Sequence, residues 1–137
     1  MTNDLLIEDF LGLQVSCSTL EEISEYILIN TKLNRRNKYF AINPDCILKY
    51  FNDPDYRRIL KRNDNIIYID GMGIIYAQMY LKLPVAKERV ATTDLFPSLL
   101  KSIDNTNSNS LKIYLLGGKD DTAQRVINNL SKKYPNS

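Results

Sequence analysis

The chain has no histidine among its 137 residues. That removes the side chain most often used as a general base near neutral pH and the commonest metal ligand, so zinc chemistry is not expected and no metal or cofactor is assigned. Cysteine is nearly as scarce. Cys17 and Cys46 stand 29 residues apart, without Cys-x-x-Cys spacing or a disulfide-rich composition, and both read as small buried hydrophobes in a reducing cytoplasm. No run approaches the roughly 18 apolar residues of a membrane-spanning helix. The N-terminal Met-Thr-Asn-Asp-Leu-Leu-Ile-Glu-Asp carries acid where a signal peptide carries base. The expected location is therefore cytoplasmic, soluble or at most peripheral. Neither charge sign is in excess. Eighteen Lys and Arg against 16 Asp and Glu leave a net +2, too little to argue for nucleic acid or an anionic membrane on electrostatics alone.

What is present fits one α/β domain spanning 1–137. A chain of this length buries roughly two-thirds of its unfolded surface, enough for a real core. Leu11–Val15 is a short apolar segment around Gly12, and Ser18 with Glu21, or Thr19 with Glu22, offers a capping box ahead of a helix bearing Leu20, Ile23 and Ile27. Arg35, Arg36 and Lys38 form a basic turn before Tyr39–Ile42, a strand candidate ending in Asn43-Pro44-Asp45. Pro44 suits the first turn of a helix, which would carry Ile47, Leu48 and Phe51, and Asp53-Pro54 punctuates it before a shorter helix through Ile59 and Leu60. Thr92 or Thr93 can cap a helix over Asp94–Ile103 with Pro97 near its start. Asp104–Ser110 is a polar loop, Lys112–Leu116 a third strand candidate, and Gly117-Gly118 a turn. Ala123, Val126, Ile127 and Leu130 then form a helical stripe. Strands alternating with helices predict a doubly wound, three-layer, largely parallel sheet.

Ile66–Ile69 reads as a buried strand with Asp70 at its carboxyl end, followed by Gly71-Met72-Gly73. That edge is where open α/β sheets bind ligands. Asp70 could equally cap the next helix by accepting its free N–H groups, and position alone leaves both roles open. The helix after Gly71 is apolar around almost its whole circumference, at Met72, Ile74, Ile75, Ala77, Met79, Tyr80 and Leu81, which predicts burial on several sides. Two glycine patterns fail as nucleotide motifs. Gly71-Met72-Gly73-Ile74-Ile75-Tyr76 lacks the third glycine of a dinucleotide fingerprint, and Asp70 would sit beside the pyrophosphate. Gly118-Lys119 has Ile113 and Asp120 where a phosphate-binding loop needs glycine and Ser or Thr.

Taken together, Ala41-Ile42-Asn43-Pro44-Asp45, Ile69-Asp70-Gly71-Met72-Gly73, Glu88-Arg89-Val90-Ala91-Thr92-Thr93-Asp94-Leu95 and Leu115-Leu116-Gly117-Gly118-Lys119 strongly resemble the WecG/TagA/CpsF family of bacterial glycosyltransferases, from about Leu11 to the last residue. The resemblance implies inverting transfer, without a bound metal, of an N-acetylmannosamine-like sugar. The donor is a UDP-sugar, and the acceptor a saccharide linked to undecaprenyl diphosphate, in teichoic acid, capsule or related cell-surface polysaccharide synthesis. It casts Asp70 as the base, Arg89 as the diphosphate contact and Asn43 as a substrate contact, with Gly71, Gly117 and Gly118 bordering the cleft. The chemistry of the residues agrees. Inverting transfer needs a carboxylate to take the acceptor proton and a cation at the departing diphosphate, and the planar fork of arginine suits diphosphate better than lysine. Without the resemblance, Arg89 reads as a surface residue or a partner of Asp94.

Ala41 stands where several members have threonine, which bears on a shared donor rather than on the reaction class. Members also continue past the equivalent of Tyr134-Pro135 into further elements that complete the donor pocket and include a C-terminal segment linked to membrane contact. The sheet is therefore expected to be incomplete at its C-terminus, with peripheral contact at the inner face of the membrane made by the missing segment and with a homo-oligomer among the expected states. The competing reading is a catalytically inactive, truncated α/β domain that binds a nucleotide or a partner protein. Asn43, Asp70 and Arg89, separated by 27 and 19 residues, are expected to converge at the carboxyl ends of the strands.

Overall fold

A computed structural model describes residues 4–105 and 112–135, which fall into two compact units, Met1–Leu95 and Phe96–Ser137. The first unit is built on a four-stranded sheet of β1 (Ile7–Phe10), β2 (Leu13–Ser16), β3 (Lys38–Ile42) and β4 (Asn65–Ile69), in the order β1-β2-β4-β3. β1 and β2 pair antiparallel, whereas β2 and β3 both lie parallel to β4. The apolar segment around Gly12 is thus the turn and second arm of a hairpin. Leu11 and Gly12 both adopt positive φ, 55° and 82°, as a two-residue hairpin turn demands, and the Asp9 carboxylate accepts the Gly12 N–H at 3.1 Å.

The helices of this unit start where side chains satisfy their first N–H groups. α1 (Leu20–Lys32) takes the second of the two capping boxes: Thr19 accepts from Glu22 N and Glu22 from Thr19 N. Asn43 caps α2 (Pro44–Asn52) by accepting from Cys46 N at 3.0 Å, and Asp53 caps α3 (Pro54–Leu60) through the N–H groups of Asp55 and Tyr56. α4 (Met72–Tyr80) follows β4 with no side-chain cap at Gly71. Alternation along the strands sends Leu13, Val15, Ile42, Ile67 and Ile69 into one cluster with Ile47 and Tyr50 of α2, Leu60 of α3 and Ile74 and Ile75 of α4. Tyr68, on the opposite pleat, is also buried, as is Ile23 of α1. Helices therefore cover both faces, as the doubly wound reading predicts.

Two expectations are corrected. α4 is not buried all round: Ile74, Ile75 and Gln78 face the core, while Met72, Tyr76, Met79 and Tyr80 are exposed. A nine-residue helix over one side of a sheet can bury only one stripe, and uniform apolarity does not say which. Gln78 is buried because its side chain accepts the Ala86 N–H at 3.0 Å and donates to Cys17 Sγ at 3.4 Å. That joins the loop after α4 to the strand edge and satisfies an otherwise costly amide.

The second correction lies in the other unit. Lys112–Leu116 forms no strand; Tyr114 and Leu116 are 86% and 90% exposed. An apolar β-prone run becomes a strand only when a neighbour offers its N–H and C=O groups, and among the described residues none does. The rest of this unit is the length of α5 (Thr92–Asn105) from Phe96 onward and α6 (Thr122–Lys133). The α6 stripe holds Ile127 and Leu130 against an apolar groove shared with Phe96, Leu100, Ile113 and Leu115, yet no α6 residue is fully buried. Most of the expected polar loop, 106–110, lies outside the described residues.

Candidate active site

The site grows from the carboxyl edge of β3 and β4. Ile42 pairs with Ile69, and the Asp70 N–H continues the ladder to Ile42 O at 2.8 Å, so Asn43 and Asp70 leave neighbouring strands side by side. Gly71 lies against Asn43. A Cβ there would come within 3.5 Å of the Asn43 Cα and Cβ and 3.3 Å of Pro44 Cδ. A Cβ on Gly73 would strike Pro44 Cγ at 2.8 Å. These two glycines let α4 start hard against the first turn of α2, a packing reason for the Asp-Gly-x-Gly spacing.

The segment before α5 runs beside β4. The Val90 N–H donates to Ile69 O at 2.8 Å and Lys87 N to Cys17 O at 3.1 Å, with Val90 and Ala91 buried. Its charged neighbours tie it to α1: Lys87 pairs with Glu22 at 2.5 Å, and the Glu88 carboxylate accepts the N–H of Leu20, the first residue of that helix. In the Lys87-Glu88-Arg89-Val90 block, three residues are thus anchors. Arg89 is left exposed, its guanidinium 3.9 Å from Asp94, an ion pair at the limit of contact.

Asp70 does act as a cap, but not for α4. Its Oδ2 accepts the backbone N–H of Thr92, the first residue of α5, at 3.3 Å. The sequence offers Thr92 or Thr93 as the cap. In the structure the acceptor is Asp70, and the Thr92 hydroxyl is hydrogen-bonded to the Tyr68 hydroxyl at 2.9 Å. Burial pushes the Tyr68 phenol up from its ordinary value, the Asp70 charge adds to the rise, and the Thr92 bond opposes it. Tyr68 thus stays a neutral hydrogen-bonding group. In sequence Tyr68 reads only as a strand residue; its position two residues before Asp70, on the same pleat, is the available signal.

The structure therefore brings together Asn43, Asp70, Gly71 and the backbone of 89–92, with Arg89 carried at the near end of that segment. Asn43 spends its side-chain oxygen on the Cys46 N–H, leaving its amide NH2 without a partner among the described residues. Gly117 and Gly118 belong to the second unit. Gly117, at φ 126°, has open space where a Cβ would stand; at Gly118, φ 84°, a Cβ would come within 3.0 Å of Thr122 Cβ. Both need the backbone freedom of glycine.

A mostly parallel α/β sheet with a carboxylate, an amide and an arginine segment at its carboxyl edge has the layout in which open α/β sheets bind ligands. The chain belongs to the WecG/TagA/CpsF family of glycosyl transferases, whose family model matches residues 8–137. It is 30% identical over 96 residues to an N-acetylglucosaminyldiphosphoundecaprenol N-acetyl-beta-D-mannosaminyltransferase of Bacillus subtilis (strain 168), covering 70% of this chain and 36% of that protein. It is 25% identical over 130 residues to the enzyme of the same name from Staphylococcus aureus (strain NCTC 8325 / PS 47), covering 93% of this chain and 49% of the relative. The chain spans about half the length, or less, of these curated relatives.

Proposed function

We propose that this chain carries the base and the diphosphate contact of an inverting, metal-independent glycosyltransferase. It would move an N-acetylmannosamine-like sugar from a UDP donor to a saccharide on undecaprenyl diphosphate, for teichoic acid or related cell-surface polysaccharide. The observation that carries the reading is the Asp70–Thr92 hydrogen bond. It ties down one carboxylate oxygen with a rigid backbone donor and so fixes the side chain, while Oδ1 makes no hydrogen bond among the described residues. A carboxylate held in this way can accept the proton of an attacking hydroxyl without first reorganising.

Arg89 complements it. An exposed pair at 3.9 Å contributes little to stability, so the guanidinium can leave Asp94 for a diphosphate at small cost and neutralise the charge that grows as UDP departs. Asn43, at the end of the neighbouring strand, offers its free amide NH2 to a donor oxygen. Gly71 is proposed to border the cleft. Capping of α5 and catalysis are not exclusive roles for Asp70, because each needs a different oxygen.

The test is transfer from UDP-N-acetylmannosamine to a lipid-linked N-acetylglucosaminyl diphosphate, measured with the chain extended to the length of its relatives. Arg89→Ala should weaken donor binding and slow transfer together, about tenfold or more in kcat/KM, because the diphosphate charge exists in the substrate and grows in the transition state. Unchanged UDP affinity and rate in that variant would remove Arg89 from the site.

A further inference from the structure

The sheet has a second opening, at the edge opposite the candidate active site. β2 and β4 meet in a ladder at Ser16 and Tyr68, and toward their amino ends no further pair joins them among the described residues. A cleft of about 460 Å³ lies there, between the hairpin turn with the start of β2, at 12–14, and the loop that leads from α3 into β4. Leu13, Leu60 and Ile67 line it from the core and are at most 3% exposed. Asn65 is the first residue of β4 and Asp70 follows the last. At the rise of an extended strand, the cleft therefore stands roughly 17 Å from the candidate base.

The rim of this cleft is cationic. Lys61 is exposed and makes no ion pair among the described residues. Arg62 engages Asp64 through Nε at 3.2 Å, which leaves its terminal nitrogens without a hydrogen bond among the described residues. Lys38, at the amino end of β3, is held beside them by its own pair with Asp64. The turn before it adds Arg35 and Arg36, and no acidic residue falls between Thr31 and Ile42. The carboxylates of this edge are already engaged. Asp64 holds Lys38 and Arg62, Asp53 caps α3, Asp55 pairs with Arg58 at 3.0 Å, and Asp9 holds the Gly12 N–H and the Gln14 amide. The last carbonyls of α3 would repel an anion, but those of Ile59 and Leu60 accept the Asn65 NH2, at 2.6 and 3.2 Å.

We propose that this cleft is a second binding site, for a soluble phosphate monoester. Lys61 and the terminal nitrogens of Arg62 meet the phosphate in charge-assisted hydrogen bonds. A bare phosphate ion fills only a small part of the space, whereas the organic part of an ester reaches Asn63 and Gln14 on the same lining. The Gln14 NH2 is bonded to Asp9 at 3.1 Å, so its carbonyl is the group turned to a ligand hydroxyl or N–H, and the Asn63 amide offers both a donor and an acceptor. A sugar phosphate and a nucleoside monophosphate share this chemistry. The inference goes beyond the transferase reading and does not depend on it, because it uses the other edge of the sheet and none of the residues placed in the candidate active site.

Backbone amide signals of the 137-residue chain, followed by NMR, read the site directly. Glucose 1-phosphate and uridine monophosphate are added in turn, with glucose, uridine and inorganic phosphate as controls. At least one ester should shift the signals of 12–14 and 61–65 to saturation, and which one does so identifies the source. Binding should weaken with added salt, as exposed charges are screened. Glucose and uridine should leave these signals in place, and inorganic phosphate should bind severalfold more weakly. Lys61→Ala should weaken the ester roughly tenfold, and Lys61→Arg should retain it. The side chain is exposed, so both variants keep the fold, and unchanged signals elsewhere check this. Signals at 12–14 and 61–65 that move with neither ester, or that move equally with glucose and uridine, would overturn the proposal. So would inorganic phosphate binding as tightly as the esters, or a Lys61→Ala variant that binds like the parent. Shifts confined to 43, 70–73 and 89–92 would place the nucleotide at the carboxyl edge and likewise overturn it.

Discussion

The first unit, Met1–Leu95, and the second, Phe96–Ser137, read equally well as alternating strand and helix, yet they differ in what holds them. In the first, every strand has a ladder partner, and Ile23, Ile42 and Ile69 are at most 1% exposed. In the second, Lys112–Leu116 has no ladder among the described residues and α6 buries no residue completely. Local pattern is the same in both. The difference teaches that periodicity proposes an element, and a partner with matching hydrogen-bonding groups and apolar surface makes it stable.

The sharpest way to break this contrast is a pair of truncations. Ile69→Ala should lower stability by about 3 kcal/mol, through lost burial and the cavity left in the β4 core. Leu116→Ala, at a side chain 90% exposed, should change it by less than about 0.5 kcal/mol. Chemical denaturation of the two variants measures both, and similar losses would mean that the second unit packs as tightly as the first.

Next in size is Gln78→Ala. It leaves the buried Ala86 N–H without its acceptor and should destabilise by about 2 kcal/mol, read from the shift in urea midpoint. No shift would mean that the loop after α4 is not anchored through this amide. Gly73→Ala should cost about 1–2 kcal/mol, because the new Cβ meets Pro44 at 2.8 Å and α4 must move away from α2. A wild-type melting temperature would show that the close approach is not required.

The smallest effect concerns pH. The hydrogen bond from Lys87, followed by that from the Thr19 backbone, holds Glu22 below its ordinary carboxylate value. The unfolded chain therefore binds the proton more readily. The contribution is complete above the ordinary carboxylate pKa and is lost as pH falls through the lowered one. Both side chains are exposed, so the loss should stay under about 1 kcal/mol. Lys87→Met should flatten that part of the stability–pH curve, and a curve unchanged by the substitution would remove the pair as its source.

Much of the frame was legible because its signals are local. Thr19 with Glu22, Asn43 before Pro44 and Asp53 before Pro54 announce helix starts within three residues, and the strands over 38–42 and 65–69 are continuous β-prone runs. The hairpin was not, since Leu11 takes a positive φ that its side chain does not advertise and β2 owes its place to a ladder with β4 more than fifty residues on. Burial of Gln78 inverts hydropathy because its amide is satisfied by Cys17, 61 residues away, and by Ala86, eight residues on. Of the candidate site, residue types and spacing were readable. That Asp70 caps α5 rather than α4, and that Glu88 and Lys87 anchor the arginine segment to α1, depends on contacts 22 to 68 residues apart.

The central claim is that Asp70 serves as a base while its other oxygen holds Thr92. Asp70→Asn separates the two functions, because an asparagine oxygen can still accept the Thr92 N–H but cannot take a proton from the acceptor. The decisive measurement is the transfer rate of this variant, in the chain extended to the length of its relatives, alongside its UDP affinity and melting temperature. The rate should fall roughly a hundredfold or more with the other two nearly unchanged. Turnover at the parental rate with a lowered melting temperature would make Asp70 a cap and nothing more.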